Sequence, residues 1–453
     1  MTYKTDQTCF SCPYLTYPAY QAYPAASECN MRSVRRLVVI GTVLAIVAAL
    51  TWISLPYVHG LSFVVRAANM QGTTRTIADF DTRSVSQREL QIPLATGPLR
   101  ARVYEPSSRA RRTTLLVSGL HPSGIDEPRL VGLATELSAS GVRIVTPDIP
   151  DLSQFAITPA ITDAIEQSAG WLAGQPQFAA DGHVGMMGIS FSGGLSVVAA
   201  GRPSLQGRVA YVFSFGGHGD LPRVLRYLCT GVEPAPPGTG SPLEQVRLKP
   251  APADGSGTSP TDNRGMRPQA DFAQAPKPHD YGVAVILLGI ADRMVPAAQV
   301  KPLRDAVHRF LLASALDSVD KPKAQEEFQR LRELARTLPE PSRTLLTYVN
   351  DRDVVHLGSR LVQWIQFYGG SPALSASKSP KPSAPVFLLH GNEDNVIPAA
   401  ESLHLAARLR DGAGGPQVRV LLSGLITHAE ADRPVHFADV MDLASFWGAL
   451  LAR

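Results

Sequence analysis

The chain has 453 residues, enough for two or three domains or for one large domain with an insertion. Hydrophobic residues make up 44% and charged residues 18%, which excludes wholesale disorder. A net charge of +4, from 43 basic and 39 acidic side chains, excludes the clustered basic excess of a nucleic-acid binder, and four cysteines are too few for a disulfide scaffold.

The first 30 residues hold five tyrosines, a Cys9-x-x-Cys12 pair and Cys29, without helical or strand period. A single CxxC is weak evidence for zinc or redox chemistry. Met31-Arg32-Ser33-Val34-Arg35-Arg36 reads as a normal start for a signal anchor, so residues 1–30 read as an upstream extension. Leu37 to Leu55 carries no charge over 19 positions, a helix of about 28 Å, close to the hydrocarbon thickness of a bilayer. Arg32, Arg35 and Arg36 precede it and the next charge is Arg66. The positive-inside rule makes 1–36 a cytoplasmic tail, 37–55 a transmembrane signal anchor and the rest extracytoplasmic, on a single-pass membrane protein. A cleaved signal peptide is the rival, but its apolar region is usually shorter and ends in a small-x-small site, which is not clean here. Beyond the anchor, 39 basic and 37 acidic side chains remain, with Cys229 as the only cysteine. That composition predicts neither attraction to nucleic acid nor an intramolecular disulfide.

Residues 56–87 read as a membrane-proximal connector, partly helical. Arg88–Pro93 and Leu99–Tyr104 alternate apolar with polar around Thr96-Gly97-Pro98, a hairpin signature. Strands then alternate with helices: Thr114–Val117, helix Leu130–Ser140, strand Val142–Thr146, helix Thr162–Leu172, strand His183–Met187, helix Phe191–Ala200, strand Val209–Phe215. Short turns between them predict a mostly parallel sheet with helices on both faces. The alternation breaks at 218–385. Within it, 231–279 holds ten prolines and six glycines, 281–368 has helical periods at Gln299–Leu312 and Ala324–Leu338, and 369–385 reads as a Pro/Ser linker. Val386–Leu389, Glu401–Leu409, Val418–Leu422 and Phe437–Leu450 resume the earlier pattern. The core is therefore expected at 88–217 and 386–453, interrupted by an insertion at 218–385.

The segment His183–Gly194, HVGMMGISFSGG, runs an apolar strand through Gly188-Ile189-Ser190-Phe191-Ser192 into a helix. That is the context of a nucleophile elbow, where the residues two before and two after the serine must be small. A register centred on Ser192 also fits sterically, but Ser190 directly follows the strand. On this motif the chain resembles the α/β-hydrolases over about 88–217 and 386–450. The resemblance implies an eight-stranded, mostly parallel sheet, a largely helical cap after the sixth strand and a triad in the order Ser…Asp/Glu…His. Val386–Pro398 (VFLLHGNEDNVIP) resembles the family's strand-seven segment and points to Asp394 as the acid. Asp292 in GIADRMVP and Asp220 after the sixth strand are rivals. His428, in the loop after the last strand, resembles the triad histidine, with His436 as its neighbour. Ser190 is then the nucleophile, His428 the general base and Asp394 the residue that orients it.

The oxyanion hole is expected from the backbone N–H groups of Phe191 and Leu120, although Ser118 replaces the family's usual histidine before Gly119. His121 is either an acyl-pocket or a loop residue, and His390 is expected to be structural. No cluster has metal-ligand spacing and no cofactor motif appears. These features predict a membrane-anchored serine hydrolase cleaving small-molecule or lipid-like carboxylic esters, with no metal and no cofactor. A prolyl-oligopeptidase-like peptidase or amidase is the enzyme alternative, although no propeller-like repeat precedes the core. A non-catalytic, membrane-tethered binding module is the alternative from another class.

Overall fold

A computed structural model describes residues 27–237, 278–412, 414–426 and 437–453. Contacts divide the chain into two units, Met1–Leu55 and Pro56–Arg453. The sheet has eight strands: β1 Val85–Leu94, β2 Gly97–Pro106, β3 Thr113–Val117, β4 Arg143–Pro147, β5 Val184–Ile189, β6 Val209–Phe215, β7 Val386–Gly391 and β8 Val418–Ser423. Their spatial order is β1-β2-β4-β3-β5-β6-β7-β8. β2 runs antiparallel to β1 and β4, and every pair from β4 to β8 is parallel. β3 and β7 are buried at every position, which is why they read as continuous apolar runs rather than alternating ones.

The hairpin turn falls one position earlier than the sequence suggests. Leu94 pairs with Gly97 and Pro93 with Pro98, so Ala95-Thr96 forms the turn and Pro98 lies in β2. The two prolines face each other beside the sheet edge, where neither has a backbone N–H to lose from the ladder.

The helices before the sixth strand are α1 Ser27–Ala67, α2 Thr73–Ala78, α3 Pro128–Ala139, α4 Pro150–Ser153, α5 Pro159–Ala173 and α6 Phe191–Ala200. Between β6 and β7 come α7 Leu221–Thr230, α8 Tyr281–Met294, α9 Ala297–Leu316, α10 Lys321–Thr337, α11 Ser342–Asn350, α12 Val354–Leu361 and α13 Ile365–Gly369. α14 Ala400–Arg410 and α15 Phe437–Leu451 complete the chain. The stretch 369–385, expected as a linker, is packed. It makes two 3-10 turns with Leu374, Ser375 and Ala376 buried, and Ser375 Oγ accepts from Leu221 N–H at 3.0 Å. Its small side chains let the chain run against the start of α7.

One core joins α5, α6 and the helices of the insertion to one sheet face. The other face is covered by α3, α15 and the last turns of α1. Val34–Ala67 is the one helix among the described residues long and apolar enough to cross a membrane, with mean hydropathy 2.4 over an 18-residue window, a property shared by anchors and signal sequences. The helix runs past Leu55 because its continuation has a surface to bury. Phe63 is fully buried, its ring centroid 4.4 Å from that of Trp447, a burial worth roughly 1.5–3 kcal/mol. α1 and α15 cross at glycines: a Cβ on Gly60 would stand 1.9 Å from Ala444 O, and one on Gly448 would stand 2.1 Å from Pro56 O. Buried Arg66 pairs with Glu136 and donates to Ser140 Oγ at 2.7 Å, so its guanidinium has partners inside the fold.

Candidate active site

β5 delivers Ser190 to the start of α6 with φ 58° and ψ −130°, one of four non-glycine residues with positive φ among the described residues. Such a conformation is costly for a residue with a Cβ, and neighbouring structure must hold it. Here Ser190 N–H donates to Phe215 O at 2.7 Å, and Ser190 O accepts from Gly193 N–H at 2.9 Å. The turn is so tight that a Cβ at Gly188 would lie 2.3 Å from Ser192 O. Ser190 itself is partly exposed.

Ser192 is different in kind. It is fully buried, and its Oγ accepts from Ile189 N–H at 2.9 Å while its hydroxyl faces the carbonyls of Ile189 and Val117 at 2.8 and 3.0 Å. Its hydroxyl is occupied by the elbow's own backbone. The geometry favours Ser190 as the exposed hydroxyl of the turn.

The loop after β3 lies against that serine. A Cβ on Gly119 would stand 3.5 Å from both Ser190 Cβ and Ile189 O. Leu120, the next residue, is half-buried and its carbonyl accepts from the Tyr281 hydroxyl at 3.4 Å. Phe191 opens α6, so its N–H is among those with no partner within the helix. Its ring is buried, 5.7 Å from the His218 ring. His121 turns back on its own loop, its Nδ1 accepting from Ser123 N–H at 3.3 Å, and burial lowers its pKa. His218 is wholly buried, its Nε2 donating to Leu374 O at 2.8 Å, and burial lowers its pKa too.

Asp394 sits in the loop after β7, 5% exposed. Its Oδ1 accepts from Val396 and Ile397 N–H at 2.9 and 3.0 Å, and Oδ2 lies 3.4 Å from His390 Nε2. Both bonds to Oδ1 fix the plane of the carboxyl group. His390 is fully buried at the end of β7. Its Nε2–H donates to Ile397 O at 2.8 Å, which leaves Nδ1 to accept the Ser402 hydroxyl at 2.7 Å. It braces the turn that carries Asp394. Burial, then the charges of Glu233 and Asp394, pushes the Tyr227 phenol up.

The two rival carboxylates are engaged elsewhere. Asp292 is exposed on α8 and pairs with Arg304 at 2.8 Å and Arg293 at 3.4 Å. Asp220 caps α7 through Arg223 N–H at 3.0 Å and accepts from Ser377 Oγ at 2.9 Å. His428 and His436 lie outside the described residues. The chain that leads to His428 leaves β8 beside the acid's strand: Ile426 O is 2.3 Å from where a Cβ on Gly391 would be. Among the described residues no group of three or more His, Cys, Asp or Glu could hold a metal ion.

The candidate site therefore offers a serine on a strained strand-to-helix turn, the Gly119 loop packed against it, and a buried carboxylate held by backbone N–H groups. Tyr281 escaped the sequence reading, and the partners of His390, expected there as structural, are Ile397 and Ser402. Tyr281 lies 161 residues from its partner, and no local pattern reports such a contact.

No known family model matches the chain, and no curated protein matches it. Similar solved structures include Pyrococcus horikoshii acylaminoacyl peptidase, 13% identical with TM-score 0.36, covering 78% of this chain and 39% of that one. The chain spans about two fifths of that peptidase's length. An esterase from Pyrobaculum calidifontis is 14% identical with TM-score 0.38, covering 86% of this chain and 93% of its own. A thermophilic carboxylesterase cloned from a metagenomic library is 14% identical with TM-score 0.39, covering 87% and 94%. It is the strand order, with β2 antiparallel and a positive-φ serine between the fifth strand and the following helix, that makes this the fold of the α/β-hydrolases.

Proposed function

We propose that the protein is a serine hydrolase that cleaves carboxylic esters through an acyl-enzyme on Ser190. The observation that carries this reading is the contrast between the two serines of the elbow: Ser190 is strained and partly exposed, whereas Ser192 is buried with its hydroxyl bonded to backbone. Strain held at one polar side chain is a mark of function.

The roles follow from the chemistry. His428 takes the proton from Ser190 Oγ as that oxygen attacks the ester carbonyl, and returns it to the departing alkoxide. Asp394 holds the imidazole tautomer and stabilises the imidazolium. The N–H groups of Phe191 and Leu120 receive the tetrahedral oxyanion, each worth about 3 kcal/mol. Water then attacks the acyl-enzyme by the same proton route in reverse.

The placement is proposed as well. Leu37–Leu55 anchors the chain as an uncleaved single-pass helix with 1–36 in the cytoplasm, and 218–385 caps the core that 88–217 and 386–453 build. The packing of Phe63 and Arg66 supports retention of the helix end, since processing beyond them would remove buried side chains from the core.

Kinetics on an acyl-length series of p-nitrophenyl esters, beside matched anilides, test the reaction class. Ester turnover lost in Ser190→Ala supports the proposal. Turnover of the anilides alone would make the protein an amidase.

A further inference from the structure

The turn that opens α8 touches both halves of the candidate site. His279 N–H donates to Asn395 O at 2.9 Å, one residue beyond Asp394. Two residues later, the Tyr281 hydroxyl donates to Leu120 O at 3.4 Å, on the loop beside Ser190. Three residues, which reach at most about 10 Å when extended, thus join loops that are 275 positions apart in the chain.

The turn is itself secured. Asp280 Oδ1 accepts from Tyr281 N–H at 3.0 Å, its Oδ2 is paired with Arg352, and Gly282 N–H donates to His279 O at 3.1 Å. The Tyr281 ring packs edge-on to buried Phe155, with centroids 5.8 Å apart. Burial, then neighbouring Tyr368, pushes the Tyr281 phenol up, so it remains a donor wherever an ester hydrolase works.

We infer that Tyr281 is a positioning residue: it anchors the Leu120 carbonyl and, through the Leu120 backbone, limits the rotation of the adjoining N–H meant for the oxyanion, while the His279 backbone holds the acid's loop, so that the turn opening α8 registers one against the other. The inference deepens the proposed function and rests on it. A Leu120 free to rotate about its backbone presents its N–H to the oxyanion for only part of the time, which lowers kcat and leaves ground-state binding alone. A tyrosine that merely walled the acyl pocket would act on KM instead.

The test uses the full chain in detergent micelles, with p-nitrophenyl butyrate as substrate and an alkyl trifluoromethyl ketone as the oxyanion mimic. Tyr281→Phe keeps the ring on Phe155 and removes only the donor. It is expected to lower kcat about five- to tenfold, leave KM within about twofold, and weaken the ketone by the factor lost in kcat/KM. Arg352→Met, which loosens the turn away from both loops, is expected to show the same split to a smaller degree. If hydrolysis does not depend on Ser190, this inference and the proposed function both fall. If it depends on Ser190 but Tyr281→Phe leaves kcat unchanged, or raises KM alone, only the positioning role is overturned. Thermal melts that coincide for wild type and Tyr281→Phe keep a folding defect apart from these outcomes.

Discussion

The Ser192 hydroxyl reaches the Val117 carbonyl at 3.0 Å and so ties the first turn of α6 to the end of β3. Val117 is two residues from Gly119, whose backbone lies against Ser190. The elbow and the loop beside it are therefore held by one buried hydroxyl. Ser192→Ala is expected to retain active-site labelling and to lose about 1–3 kcal/mol of stability, because a part-buried N–H at Ile189 loses its acceptor. Denaturant melts followed by fluorescence measure the loss.

Gly188→Ala sets a methyl group against backbone that has nowhere to go. With Ser192 O at 2.3 Å from the new Cβ, the turn must open. The expected cost is about 3 kcal/mol, together with loss of ester turnover, since Ser190 moves with the turn. A circular-dichroism melt and a rate assay on the same sample measure both.

Replacing His390 separates bracing from chemistry. His390→Phe leaves Ile397 O and the Ser402 hydroxyl without their buried partner, an expected loss of about 2 kcal/mol. The turn carrying Asp394 loosens with it, so kcat is expected to fall at least tenfold. Titrating stability and kcat for His390→Phe beside Asp394→Asn shows the difference. The first should lose both, whereas the second should lose mainly kcat.

Glu127 gives a pH signature. It caps α3 by accepting from Leu130 N–H at 2.7 Å, and it pairs with Arg129. Burial alone would raise its pKa, but Arg129 and the Leu130 N–H outweigh that and hold it below the usual glutamate value. A lowered folded-state pKa means stability that is fully present above the ordinary range, about 4.3, and fades as pH falls through the lower value. Wild type is expected to exceed Glu127→Ala by about 1 kcal/mol at pH 7 and to lose that margin on acidification below about 4. Urea melts from pH 7 to pH 3 follow it.

Much of the architecture was legible because buried parallel strands advertise themselves. Val209–Phe215 and the helix Phe191–Ala200 coincide with their expected bounds, and the other strands differ at their ends by one to three residues. The sequence failed where tertiary contacts decide. The apolar stretch 37–55 lies within α1, but the helix's run to Ala67 depends on the facing surfaces of Phe63, Trp447 and the two crossing glycines. The 369–385 stretch looked like a linker because small and proline residues resemble loops, yet its burial is set by α7. At the candidate site the strand-turn-helix pattern favoured Ser190 because it directly follows the strand, and the buried, hydrogen-bonded Ser192 hydroxyl is the contrast that only the structure supplies. Asp394 stood apart from Asp292 by what followed it in the chain. The structure adds that Asp292 is spent on arginines.

The central claim is that Ser190 is the nucleophile. Labelling of the full chain with a fluorophosphonate probe, followed by mapping of the modified peptide, tests it most directly. The account predicts one adduct, on Ser190, that is retained in Ser192→Ala and absent in Ser190→Ala, Asp394→Asn and His428→Ala. An adduct on Ser192, equal labelling of Ser190→Ala, or a wild type that takes no probe would contradict it.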